Sequence, residues 1–248
     1  MQPFELMSAD GKRIRGDCAD GTDRQVLFIT GFLSKRWGNK SKALAQWCRE
    51  RSWGFCCYDV RGFGDSEGQF TDYTLSDWIA DARAVLDMLQ SGPKTTIVGN
   101  SLGSWVAWLV AQEFSIVEEL ILIAPAFNMM GERARSISKE RLHDWHTAGW
   151  MPWDDDPLHK DWPLSWKWVE ESEAYWAKTF NNLRPMKTAI LHGLQDTVIL
   201  PEGSKSFANE LLRRDPNFPL DLRLVPGDHR LSSPEHIELF RRLMMREA

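Results

Sequence analysis

The stretch TTIVGN (95–100) followed by Ser101-Leu102-Gly103-Ser104-Trp105-Val106-Ala107-Trp108 decides the fold. Its first part is a short β-branched, apolar run of strand character, and its second part carries apolar residues at helical spacing. Between them, Gly99-Asn100-Ser101-Leu102-Gly103 matches G-x-S-x-G. A bare match of that kind is common by chance. A strand before it and a helix after it are what a nucleophile elbow requires, where the serine stands on a sharp, strained turn. Glycine two residues before and two after lets neighbouring backbone come close. The plain structural reading is a strand-to-helix turn with a serine N-cap.

On both sides of this turn, strands alternate with helices. The N-terminal residues read as a hairpin turning at Ala9-Asp10-Gly11. QVLFITG (25–31), GFCCYDV (54–60), EELILIAPA (118–126), MKTAILHG (186–193) and PLDLRLVPG (219–227) are strand candidates, and 41–53 and 75–90 are amphipathic helices. The apolar runs are continuous rather than alternating, as expected of parallel strands covered on both faces. The expected fold is α/β, a mostly parallel central sheet with helices on both faces. One segment breaks the rhythm: seven of the thirteen tryptophans, Trp145, Trp150, Trp153, Trp162, Trp166, Trp168 and Trp176, fall between Phe127 and Phe180. We expect residues 1–126 and 181–248 to form the core, and 127–180 to be a helical lid over the carboxyl ends of the strands, where ligands bind in such sheets.

Serine is a weak nucleophile at neutral pH and needs a base held by a third group. His229, in Pro226-Gly227-Asp228-His229-Arg230 after the last strand, is the best-placed base. Asp196, three residues past the LHG strand end, is the expected acid; Asp228 is read as a turn residue. The order Ser101, Asp196, His229 is the α/β-hydrolase order. His192 is read as structural, and His159 and His236 as solvated. His143 and His146 stand at helical spacing without an evident third metal ligand, so no metal is expected. The oxyanion hole needs two backbone donors: Leu102 is one, and the other is Phe32 or, as second choice, Leu33. Phe32, Trp150, Trp153, Trp166 and Trp168 are the expected pocket residues, with Met129, Met130 and Met151 adding to an apolar roof.

The chain resembles the α/β-hydrolase superfamily in Gly31-Phe32, Asp59-Val60-Arg61-Gly62-Phe63-Gly64-Asp65-Ser66, GNSLG, LHGLQD and GDHR. GFLSKRWGNKSKALAQWC, Trp105 after the elbow and the final DHR are similar to the mitochondrial α/β-hydrolase domain proteins that cleave acyl glucuronides and palmitoyl thioesters. That resemblance implies an esterase or thioesterase acting on small-molecule acyl substrates, without a cofactor. Thr30 departs from it, standing where many members of the superfamily carry histidine. Carbon–carbon bond hydrolysis and perhydrolysis use the same triad and stay open, as does a non-catalytic binding protein on this fold. Haloalkane dehalogenase and epoxide hydrolase chemistry would want aspartate at the elbow.

The net charge of −5 argues against nucleic acid as the main partner. No apolar stretch has the length of a membrane span. The N-terminus lacks an apolar run after a basic start, and Cys18, Cys48, Cys56 and Cys57 read as reduced thiols, so the expected location is the cytoplasm.

Overall fold

The computed structural model describes residues 1–151 and 162–245. The chain order is β1 (Gln2–Met7), β2 (Arg13–Ala19), β3 (Gln25–Ile29), α1 (Asn39–Glu50), β4 (Gly54–Tyr58), α2 (Leu75–Leu89), β5 (Thr95–Asn100), α3 (Leu102–Ala111) and β6 (Val117–Ile123). It continues through α4 (Met129–Ser136), α5 (Lys139–Ala148), β7 (Trp150–Met151), β8 (Leu164–Ser165), α6 (Lys167–Trp176), β9 (Lys187–Gly193), α7 (Pro201–Arg214), β10 (Leu220–Val225) and α8 (Pro234–Met245). An eight-stranded sheet runs β1-β2-β4-β3-β5-β6-β9-β10. The β1–β2 and β2–β4 pairs are antiparallel, and all others are parallel.

The continuous apolar runs find their explanation in two cores. Leu27 and Ile29, Cys56 and Tyr58, Ile97, and Leu120 and Leu122 face one core, with residues of α2, α3 and α7. Val26 and Phe28, Phe55 and Cys57, Val98, and Ile121 and Ile123 face the other, with residues of α1 and α8. Alternate residues of β3, β4, β5 and β6 thus enter opposite layers, and those named are apolar because both faces of these strands are covered. Helix α3, in the larger of these cores, is buried along nearly its whole length. That suits a segment whose sequence is hydrophobic all round.

Between β6 and β9 the described chain forms α4, α5, α6 and the small antiparallel pair β7–β8. The end of this segment is tied to α3. Trp108 donates its indole N–H to the Thr179 carbonyl (2.8 Å), and Trp105 donates to Thr179 Oγ1 (3.3 Å). Arg184 then donates to the carbonyls of Ala111 (2.5 Å), Phe114 (3.0 Å) and Val117 (2.8 Å). Those contacts gather the end of α3, the following turn and the start of β6 on one guanidinium. Among the described residues, no helix is long and apolar enough to cross a membrane.

Candidate active site

Ser101 sits between β5 and α3 with φ +54° and ψ −122°, a conformation that costs a non-glycine residue about 1–3 kcal/mol. The neighbouring strand holds it there. The Ser101 N–H donates to the Ile123 carbonyl (2.8 Å), and Ala126 N–H donates to the Ser101 carbonyl (3.1 Å). The flanking glycines are needed for contact rather than freedom. A Cβ on Gly99 would lie 2.4 Å from Ser104 Cα, and one on Gly103 would lie 2.2 Å from the Thr30 carbonyl oxygen. Side chains there would push α3 off the sheet.

The loops after β9 and β10 bring the other two residues to the same end of the sheet. His229 Nε2 lies 3.1 Å from Ser101 Oγ, and His229 Nδ1 lies 2.7 Å from Asp196 Oδ2. A carboxylate only accepts, so Nδ1 carries the hydrogen and Nε2 presents its lone pair to the serine hydroxyl. The remaining oxygen, Asp196 Oδ1, accepts the amides of Val198 (2.9 Å) and Ile199 (2.8 Å). Asp196 is buried, and burial alone would raise its pKa. Hydrogen bonds from His192, His229 and the Ile199 amide outweigh that and hold it well below the usual carboxylate range. The two loops clasp each other: Gln195 N–H donates to the Gly227 carbonyl (2.9 Å), and Gly227 N–H donates back to Gln195 Oε1.

The other polar residues near this chain have separate tasks. Asp228 Oδ1 accepts the amides of Arg230 (3.0 Å) and Leu231 (3.2 Å), which makes it the turn residue that sets the His229 loop. His236 is half-buried rather than solvated, because its Nε2 meets the Pro226 carbonyl (2.6 Å) beneath that turn. His146 stacks edge-on against Trp166. Among the described residues, no group of three or more His, Cys, Asp or Glu side chains is arranged to hold a metal ion. His159 lies outside the described residues.

The loop after β3 faces the serine from the other side. Leu102 is the first residue of α3, so its amide has no acceptor within the helix. Across from it run Gly31, Phe32, Leu33 and Ser34. Thr30, in the position where many superfamily members have histidine, uses its hydroxyl to hold the Ser34 carbonyl (2.8 Å), across Leu33 at φ +51°. Arg36 braces the far end of the loop on Asp17 (2.7 Å), Asp65 (2.8 Å) and Asp59. The DVRGFGDS stretch is therefore a structural bracket for this loop.

A cavity of about 1220 Å³ opens over Ser101 and His229. Its apolar wall includes Phe32, Phe127, Met129, Trp176, Ile199 and Leu200, and Lys40, Arg133 and Glu202 bring charge to it. Of the apolar residues singled out from sequence, Phe32 and Met129 line the cavity. Trp150, Trp166 and Trp168 are not among its described lining residues, and Trp153 lies outside the described residues. Trp168 is buried against Trp78 (ring centroids 4.9 Å) and Phe32 (5.5 Å), Trp166 packs on Trp145 (5.5 Å), and Trp150 is largely exposed in β7. Met130 and Met151 are buried in the core. Sequence reasoning missed Trp176 and Lys40. Trp176 was hidden among six other tryptophans of the same segment. For Lys40 the signal was a lysine within the GNKSK stretch of the resemblance.

Comparison with known proteins places this geometry in a family. The mitochondrial palmitoyl-protein thioesterase ABHD10 of mouse is 25% identical over 238 residues, covering 95% of this chain and 77% of that protein. The human protein of the same name is 27% identical over 229 residues, covering 88% and 71%. The structure of mouse alpha/beta hydrolase domain-containing protein 10 superposes with a TM-score of 0.85 at 21% identity over 100% of both chains. The structure of Est1E from Butyrivibrio proteoclasticus with ferulic acid bound superposes at 0.78 with 21% identity, over 98% of each chain. These superpositions establish the fold. The curated relatives are named as mitochondrial proteins, which overturns the expectation of a cytoplasmic location: reduced cysteines and a soluble composition suit more than one compartment. The alpha/beta hydrolase family model matches residues 26–247, nearly the whole chain, and the chain belongs to that family.

Proposed function

We propose that this protein is a serine esterase or thioesterase that cleaves acyl substrates through an acyl-enzyme, with Ser101 as nucleophile, His229 as general base and Asp196 as its orienting acid. The observation that carries this reading is the unbroken hydrogen-bonded chain from Asp196 through His229 to Ser101, ending in the cavity. His229 takes the serine proton as Oγ attacks the acyl carbonyl, then gives it to the departing alcohol or thiol. Water repeats the sequence on the acyl-enzyme. The amides of Leu102 and Phe32 hold the oxyanion, a contribution of about 10²–10³ in kcat per donor.

The segment 127–180 acts in this reading as a lid that sets acyl preference. Its support is that Phe127 and Met129 near its start and Trp176 near its end contribute apolar wall to the cavity. Each buried methylene of an acyl chain is worth about 0.8 kcal/mol, roughly fourfold in kcat/KM, until the space is filled. The thioesterase name of the curated relatives agrees with an acyl substrate.

The reading is tested by hydrolysis of p-nitrophenyl octanoate. We expect Ser101→Ala to keep its circular dichroism spectrum and to lose kcat by about 10⁴-fold or more. Turnover near that of the unaltered protein would overturn the assignment.

A further inference from the structure

Asp196 Oδ2 is contacted by two imidazoles, and only one of them belongs to the proposed triad. His192 Nε2 lies 3.1 Å from the same oxygen that His229 Nδ1 approaches at 2.7 Å. His192 is wholly buried at the end of β9. Its tautomer is dictated by its partners. Nε2 faces two groups that only accept, Asp196 Oδ2 and the Ile199 carbonyl (2.9 Å), so Nε2 carries the hydrogen. Nδ1 is then a lone pair, and it accepts the hydroxyl hydrogen of Ser204 (2.7 Å), a wholly buried residue of α7.

From this geometry we infer that His192 is a positioning residue for catalysis: held by Ser204 as its Nε2–H tautomer, it fixes the Asp196 carboxylate and shares the oxygen that orients His229. The inference rests on the proposed triad. Ring and carboxylate lie four residues apart, so the end of β9 and the short turn after it carry the two partners, and α7 supplies the hydroxyl that locks the ring. The electronic consequence follows from the sharing. A second donor on Oδ2 spreads the carboxylate charge and weakens its pull on the His229 proton. Without His192 the carboxylate loses one of its anchors, so His229 is less well aimed.

The other charged groups that line the cavity with His229 are Asp228 and Arg230 on its own loop, Lys40 on α1, Glu202 on α7, and Glu132 and Arg133 on α4. Of these, Glu202 also feels His192 electrostatically, while the hydrogen bond to Asp196 Oδ2 is the direct link from His192 to the proposed triad.

The test uses the full chain, three variants and p-nitrophenyl octanoate. We expect His192→Met to lower kcat about 10- to 100-fold with KM within about twofold, and to move the acid limb of kcat/KM to higher pH. His192→Gln, whose amide nitrogen reaches the Nε2 position, should recover most of the loss. Should His192→Met fail to fold, Ser204→Ala decides: a severalfold fall in kcat at unchanged KM supports the inference, and an unchanged kcat overturns it. Nitrogen NMR of the histidine rings adds a readout without activity. The signal lost in His192→Gln should be that of an Nε2–H tautomer, and an Nδ1–H tautomer overturns the inference. An active, folded His192→Met with unchanged kcat and pH profile overturns the inference and leaves the triad standing. An unaltered protein that does not hydrolyse the ester, and whose Ser101 takes no fluorophosphonate, overturns both.

Discussion

The loops at the ends of β5, β9 and β10 and the segment between β6 and β9 border the same cavity, yet they are held by different forces. In the loops, backbone hydrogen bonds fix nearly every polar atom. Ser101 is bonded to β6 at its amide and is also held at its carbonyl, Asp196 accepts two amides of its own turn, and Gln195 and Gly227 clasp each other. In the segment, indoles pack on aromatic neighbours: Trp168 on Trp78 of α2, and Trp145 between Trp166 and the Leu164 carbonyl (2.9 Å). Directional bonds hold atoms to fractions of an ångström, which proton transfer needs. Apolar packing tolerates exchange of side chains of similar volume, which suits a surface that sorts acyl groups. Changes in the first region should therefore alter rate at constant preference, and changes in the second should alter preference or stability.

Asp196→Asn gives the sharpest test of the first half. The amide leaves the hydrogen-bond geometry nearly intact but favours the wrong His229 tautomer, and we expect kcat to fall about 10⁴-fold. Asp228→Asn should change it little, because Asp228 serves backbone amides alone. Stopped-flow or steady-state ester hydrolysis decides, and a larger loss in Asp228→Asn would place the acid wrongly.

On the second region, Trp168→Ala should cost about 3–5 kcal/mol of stability, measured by urea unfolding, because its ring is buried among aromatic neighbours. Its ratio of kcat/KM for octanoate over acetate should stay near that of the parent. Trp176→Ala should do the reverse, with a modest loss of stability and a fall in that ratio of about tenfold. An unchanged ratio in Trp176→Ala would remove the support for a substrate lid and dissolve the contrast between the regions.

The smallest effect concerns Lys40, on the charged side of the cavity. Burial pulls its ammonium down to about 8, with Arg230 adding to the fall and Asp228 opposing it. In the unfolded chain a lysine holds its proton to about 10.4. The unfolded state thus binds more protons between those values, so this group makes stability rise with pH through that window. Lys40→Met should flatten that rise relative to the parent when Tm is followed from pH 7 to 10. Parallel curves for the two proteins would show that the ammonium is not buried in this way.

Much of this contrast was legible in the amino-acid sequence, for physical reasons. Strands covered on both faces must be continuously apolar, so QVLFI, GFCCY and ELILI announce a sandwiched parallel sheet. A serine on a tight strand-to-helix turn needs small neighbours, so Gly99 and Gly103 mark the elbow. Asp196 and His229 follow strand ends in the right chain order, and the structure brings both to Ser101. The tryptophans were a different matter. Composition says that 127–180 is aromatic, but the direction of each ring depends on helix packing far from it in sequence. Hence Trp150, Trp166 and Trp168 were expected at the cavity, where Trp176 stands. His192 carried a signal, four residues before Asp196 in LHGLQD, but its second ring nitrogen finds Ser204 only through the docking of α7.

The claim that Ser101 is the nucleophile is tested most directly by locating a fluorophosphonate adduct. After reaction at neutral pH, peptide mass spectrometry should find one phosphonylated residue, Ser101, in stoichiometric yield. The Ser101→Ala protein should take up none, and Asp196→Asn should react far more slowly. Modification at another residue, or an unreactive Ser101 in the folded and unaltered protein, would contradict it.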